Sequence, residues 1–148
     1  MAIPSFDSGG SLPPGIHWAE WAEFEARFGQ SAYRRRLLTG LFEALLLLKT
    51  AGSATAYIDG SFVTTKEEPG DFDACWEVTG VDDTKVDPIF FTFDRKRAAQ
   101  KARFLGEFFP AEWREGGSGR TWLDFFQIDK DTGEAKGIVA IDLRRLRQ

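Results

Sequence analysis

Apolar residues recur along this chain at two different periods. From Tyr33 onward, Leu37, Leu38, Leu41, Phe42, Leu45 and Leu48 fall on one side of a helical wheel, with Arg34, Arg35 and Glu43 on the other. Ser31 is placed to cap this helix, which the pattern carries to about Gly52. The spacing of Trp18, Trp21, Ala22 and Phe28 predicts a short amphipathic helix before it, closed by Gly29. Beyond Gly52 the apolar runs are short and bounded by turn residues, as strands are. They predict strands at Ala56 to Asp59, Asp71 to Val78, Pro88 to Phe93, Thr121 to Ile128 and Gly137 to Leu143. Asp94 is placed to cap a basic helix reaching about Phe108, and Asp-Thr-Gly within Asp129 to Lys136 predicts a hairpin loop. Residues 1–15, with Pro4, Gly9, Gly10, Pro13, Pro14 and Gly15, predict an extended arm, and residues 16–148 a single domain. Strands mixed with helices and a hairpin indicate an α+β fold, a mixed β-sheet flanked by helices.

Composition narrows the function classes. A chain of 148 residues with fourteen Phe and five Trp can build a core without staples. Its formal net charge of -4 argues against a surface coated in basic charge for nucleic acid, while leaving room for a local basic groove. A lone cysteine, Cys75, precludes an intrachain disulfide and fits a reducing, cytoplasmic compartment. The Gly- and Pro-rich start lacks the pattern of a signal peptide, and the apolar run Leu45 to Leu48 is too short to cross a bilayer, so no membrane association is expected.

The segment that carries chemistry is Tyr57-Ile58-Asp59-Gly60-Ser61, followed after nine residues by Asp71-Phe72-Asp73. On a strand Asp71 and Asp73 point to one side, while Phe72, Ala74 and Trp76 point to a core. Two carboxylates held together repel, and a hard divalent cation with oxygen ligands, Mg²⁺ or Mn²⁺, relieves the repulsion. Gly60 has no Cβ to keep a phosphate from the backbone, and Ser61 offers a hydroxyl and an N–H to phosphate oxygens. The turn and the aspartates together form a device for placing a metal-bound triphosphate. Asp142, in the apolar strand Gly137 to Leu143, lies on the opposite face from Val139, Ile141 and Leu143 and is the candidate third carboxylate.

Gly60-Ser61, Asp71-Phe72-Asp73 and the later Asp142 resemble the nucleotidyltransferase (polymerase-beta-like) superfamily over about Ala56 to Leu143. The string Asp59 to Lys66 with Pro69 to Asp73 is similar to an uncharacterised group of small bacterial and phage-associated single-domain members. The resemblance implies a nucleotidyltransferase-like fold and a metal-dependent transfer of a nucleotide from an NTP to a hydroxyl acceptor on RNA or protein. It implies metal-ligand roles for Asp71, Asp73 and Asp142, a base-like role for Asp142, and triphosphate contacts for Gly60 and Ser61. Asp94 remains a rival for the third carboxylate. Toxins and antitoxins occur among single-domain relatives, so a toxin–antitoxin or phage-defence setting with a cognate protein partner is one expectation. The alternative is an inactive or weakly active antitoxin or regulatory binding partner.

Other residues carry weaker signals. Lys66 could touch a phosphate, although Glu67 and Glu68 beside it suit a solvated loop. Arg97 and Lys101, four apart on the basic helix, share a face that could meet an NTP tail or an RNA acceptor. Arg34-Arg35-Arg36 reads as ordinary helix surface, His17 as packing, and Cys75 as a small packing residue on the face of Asp71 and Asp73.

Overall fold

A five-stranded mixed sheet forms the centre of the protein, in a computed structural model that describes residues 3–147. Met1 and Ala2, the start of the expected arm, and Gln148, the end of the expected domain, lie outside the described residues. In chain order the elements are β1 (Gly15–Ala19), α1 (Trp21–Phe28), α2 (Ala32–Thr50), β2 (Thr55–Asp59), β3 (Phe72–Trp76), α3 (Asp94–Phe104), β4 (Gly106–Pro110), α4 (Trp122–Phe125) and β5 (Gly137–Asp142). The strands lie in the order β1-β5-β2-β3-β4. The β2 strand is antiparallel to both its neighbours, whereas β1 pairs parallel with β5 and β4 parallel with β3. The architecture is α+β, as the mixture of periods implied.

Strand alternation divides the sheet into two unlike faces. Ala56, Ile58, Phe72, Ala74, Trp76, Phe108, Val139 and Ile141 point to one side, where the apolar stripes of α1 and α2 and the end of α3 cover them. Leu41, Ala44, Leu45 and Leu48 of α2 are fully buried there. Ser31 caps α2 as expected, its hydroxyl accepting from the Arg34 N–H at 3.1 Å. Tyr57, Cys75, Phe109, Ile138 and Ala140 point to the other side and form a smaller apolar cluster with Ala111 and Phe126. Residues 111–136, the crossover from β4 to β5, supply the cover there. They close over the Cys75 end of that face and leave the Asp73 end open to a cleft.

Several expected elements differ. Residues 15–19 form the edge strand β1, which takes up Trp18 and Ala19 from the start of the expected helix, and α1 begins only at Trp21. The arm before β1 packs in part, since Ile3 and Leu12 are buried. Pro88–Phe91 is a 3₁₀ turn rather than a strand, because the Asp87 carboxylate accepts from the Ile89 N–H and closes the turn. Thr121 likewise caps the short helix α4 where a strand was expected, its hydroxyl accepting from the Asp124 N–H. The hairpin loop exists in outline: Gly133 N–H donates to Asp129 O, and Ile128 bridges Ala135 antiparallel. The basic helix ends at Phe104, where Leu105 turns left-handed with φ 67° and β4 begins.

No helix among the described residues is long and apolar enough to cross a membrane.

Candidate metal and phosphate site

Register brings the chemistry-bearing residues to one end of the open face. Asp59, the last residue of β2, pairs with Asp73 on β3, and Asp73 pairs with Glu107 on β4. Asp71 lies just before β3. Carboxylate oxygens of Asp71, Asp73 and Glu107 all lie within 4.8 Å of one another, the one such acidic group among the described residues. Burial, then the negative charge of Glu107, Asp71 and Asp59, pushes the Asp73 carboxyl up to about 8. Burial, then Glu107, also raises Asp71. Such a cluster is costly to ionise fully without a cation among its oxygens.

The Gly60-Ser61 turn stands beside it. Gly60 has φ 89° and ψ -174°, a region open essentially to glycine alone. A Cβ there would also come within 3.1 Å of an Asp73 carboxylate oxygen. The glycine is therefore required by its own backbone and by Asp73, in addition to any ligand it admits. Arg34 holds the chain beyond the turn. Its guanidinium donates to the carbonyls of Phe62 at 2.7 Å, Thr64 at 3.1 Å and Phe28 at 3.3 Å, and to that of Lys66. Tyr33 donates to Pro69 O at 2.6 Å. Arg34 is thus buried against the loop that links Ser61 to Asp71, not part of the helix surface.

Three cations lie against the carboxylates. Arg97 grips one oxygen of Glu107 through Nε at 2.7 Å and Nη2 at 2.6 Å, with Lys101 Nζ at 3.9 Å from the same atom. Arg97 is delivered by an unusual backbone: Arg95, Lys96 and Arg97 take φ values of 53°, 56° and 62°, a left-handed turn that side chains with a Cβ adopt at some cost. Lys136, just before β5, lies 3.3 Å from Asp59. Burial raises the Asp59 carboxyl, and Lys136 opposes the rise. Asp59, Asp71, Asp73, Glu107, Arg97 and Lys136 line a cleft of about 590 Å³, together with Gly60, Ser61, Phe109, Trp122 and Phe125.

The third carboxylate is Glu107, neither Asp142 nor Asp94. Asp142 has the expected face but the wrong end of its strand. In the antiparallel pair it lies opposite Thr55, the start of β2, four residues from the position beside Asp59 and so about 13 Å away. Its carboxylate instead takes the Arg144 guanidinium at 3.0 and 3.1 Å, which holds it below the usual range. Asp94 is exposed and outside the trio. Lys66 is exposed and points into a separate cleft beside Arg27 and Arg34, away from Gly60 and Ser61. His17 donates from Nε2 to Pro13 O at 2.6 Å, a packing role, and Cys75 is fully buried behind Asp73. In the sequence Glu107 is masked by the basic helical pattern, which runs on past Leu105. The signal available was Gly106 as a helix stop ahead of Glu-Phe-Phe-Pro, whose alternation puts Glu107 and Phe109 on one face.

The family described as "Family of unknown function (DUF6932)" matches residues 4–142, and the chain belongs to it. Nothing matches the chain among curated proteins or among solved structures.

Proposed function

We propose that this member of a family of unknown function is a metal-dependent nucleotidyltransferase with a nucleotidyltransferase-like fold, moving a nucleotide from an NTP to a hydroxyl on RNA or protein. The observation that carries the reading is the convergence of Asp71, Asp73 and Glu107 beside the Gly60-Ser61 turn. The donor set fits the cation this chemistry uses: three hard carboxylate oxygens, close together and partly buried, suit Mg²⁺ or Mn²⁺. Bound among them, the ion supplies charge neutralisation for the triphosphate and acidifies the acceptor hydroxyl. Gly60 and Ser61 hold phosphate oxygens through backbone N–H and hydroxyl, and Lys136, rather than Lys66, adds a positive charge on that side of the cleft. Arg97, which grips Glu107 and lines the same cleft, would turn to the polyphosphate were a cation held by Asp71, Asp73 and Glu107. The acceptor oxygen bonds to the α-phosphorus while the bond to the departing pyrophosphate breaks. The hydroxyl proton passes to a carboxylate, a role for Glu107. A cytoplasmic setting and a cognate toxin or antitoxin partner belong to this proposal and rest on the resemblance of the motifs.

A second reading, nucleotide or partner binding without turnover, draws support from Arg97. Its grip on Glu107 already offsets one negative charge of the trio. Incubation with each α-labelled NTP, Mg²⁺ and total RNA or cell lysate separates the two. Transfer of label by the parent and its loss in Asp73→Asn supports the enzyme. Absence of label with every NTP, alongside a melting midpoint still raised by NTP, supports binding alone.

A further inference from the structure

The open face changes character along the cleft. Phe109 follows Glu107 by two residues on β4 and shares its face, about 7 Å further along the strand. The Trp122 ring lies flat on Phe109, with centroids 3.8 Å apart and planes at 15°. Phe125 stands edge-on to Trp122 at 5.5 Å and 82°, and buried Phe126 backs both rings. Trp122 and Phe125 are themselves only half-buried and line the same cleft as Asp73 and Gly60. The α4 helix that carries them is fixed by the Thr121 cap and by Trp122 and Leu123 N–H groups donating to Trp113 O and Ala111 O. The cleft therefore offers carboxylates, two cations and a glycine turn at one end and a rigid aromatic wall at the other. One molecule with that same polarity is a flat aromatic ring joined through a single sugar to a polyphosphate.

We infer that the aromatic wall of Trp122 and Phe125 is a nucleobase subsite, on which the base of a nucleoside triphosphate stacks while its phosphates lie at Gly60 and the carboxylates. The inference rests on the proposed function and names where that substrate's base is held. Every base has a π-face, so stacking on such a wall is tolerant of base identity.

Equilibrium binding of Mg-ATP, Mg-CTP and Mg-tripolyphosphate to the full chain, compared across Phe125→Leu, Trp122→Leu and Trp122→Phe, tests it. Phe125→Leu keeps an apolar side chain and removes a π-face. It is expected to weaken both nucleotides about 10-fold or more and tripolyphosphate less than about 2-fold. Trp122→Phe is expected to keep most of the nucleotide affinity that Trp122→Leu loses. Should Trp122→Leu fail to fold by circular dichroism, Phe125→Leu decides alone. Nucleotide affinity unchanged in Phe125→Leu, or a parent that binds tripolyphosphate as tightly as ATP, overturns the base subsite and leaves the metal and phosphate site standing. A parent that binds neither probe overturns both.

Discussion

Asp73→Asn is expected to make the metal-free protein more stable at neutral pH. Burial and the charges of Glu107, Asp71 and Asp59 lift this carboxyl from 3.8 to about 8. Below pH 4 it is protonated in both folded and unfolded chains, and an amide in its place changes little. As the pH rises from about 4 to about 8 the unfolded carboxyl ionises while the folded one resists, so the parent loses stability across that window and the loss is complete above pH 8. At 1.36 kcal/mol per pKa unit the upper bound near pH 7.5 is about 5 kcal/mol. Rearrangement of Glu107 and Arg97 relieves part of it in the parent, and a realised gain of about 2 kcal/mol is expected, within the range of substitutions that remove functional-site strain. For a chain of this length that is a midpoint raised by about 4–8 °C. Thermal melts in chelator at pH 4 and pH 7.5 measure it, and adding Mg²⁺ should raise the parent and not the variant. A variant that melts at or below the parent at pH 7.5 would refute the claim that these carboxylates repel one another.

Three further outcomes follow from particular contacts. Glu107→Gln should reduce nucleotide transfer by about 100-fold or more, whereas Asp142→Asn, which only loosens the exposed contact with Arg144, should leave transfer within about 2-fold; single-turnover assays compare them. Arg34→Lys should cost about 1–3 kcal/mol in denaturant unfolding, because an ammonium cannot satisfy the four carbonyls that the planar guanidinium reaches. Lys136→Met should cost about 1–3 kcal/mol by leaving Asp59 buried without its cation; adding Asp59→Asn should restore the stability while tripolyphosphate binding stays weak.

Alternation in the sequence was enough to place Asp73 and Cys75 on one face of β3, with Asp71 just ahead of them on the same side and Phe72, Ala74 and Trp76 in the core. The structure has that arrangement because a strand has only two sides. The helical stripe of α2 and its Ser31 cap were legible for the same local reason. Asp142 shows the limit of such reading. Periodicity fixes the face of a residue, but which end of the strand meets which neighbour depends on strand order and direction, and these are set by packing across the whole sheet. Glu107 was hidden by a continuous-looking basic helix, whose end is marked by one left-handed residue, Leu105, ahead of Gly106. Trp18 belongs to a strand at the sheet edge, and its spacing to Trp21 mimics a helix because the chain turns into one immediately afterwards. Pro88–Phe91 and Trp122–Phe125 have the apolar content of strands, but side-chain caps from Asp87 and Thr121 close them into turns.

The central claim, that Asp71, Asp73 and Glu107 form a divalent-cation centre, is tested most directly by electron paramagnetic resonance of Mn²⁺ titrated into the full chain. The account predicts saturable binding by the parent and by Asp142→Asn, loss of that binding in Asp73→Asn and Glu107→Gln, and competition by Mg²⁺. Mn²⁺ that remains free beside the parent, or binds equally well when Asp73 and Glu107 are both amides, would contradict it.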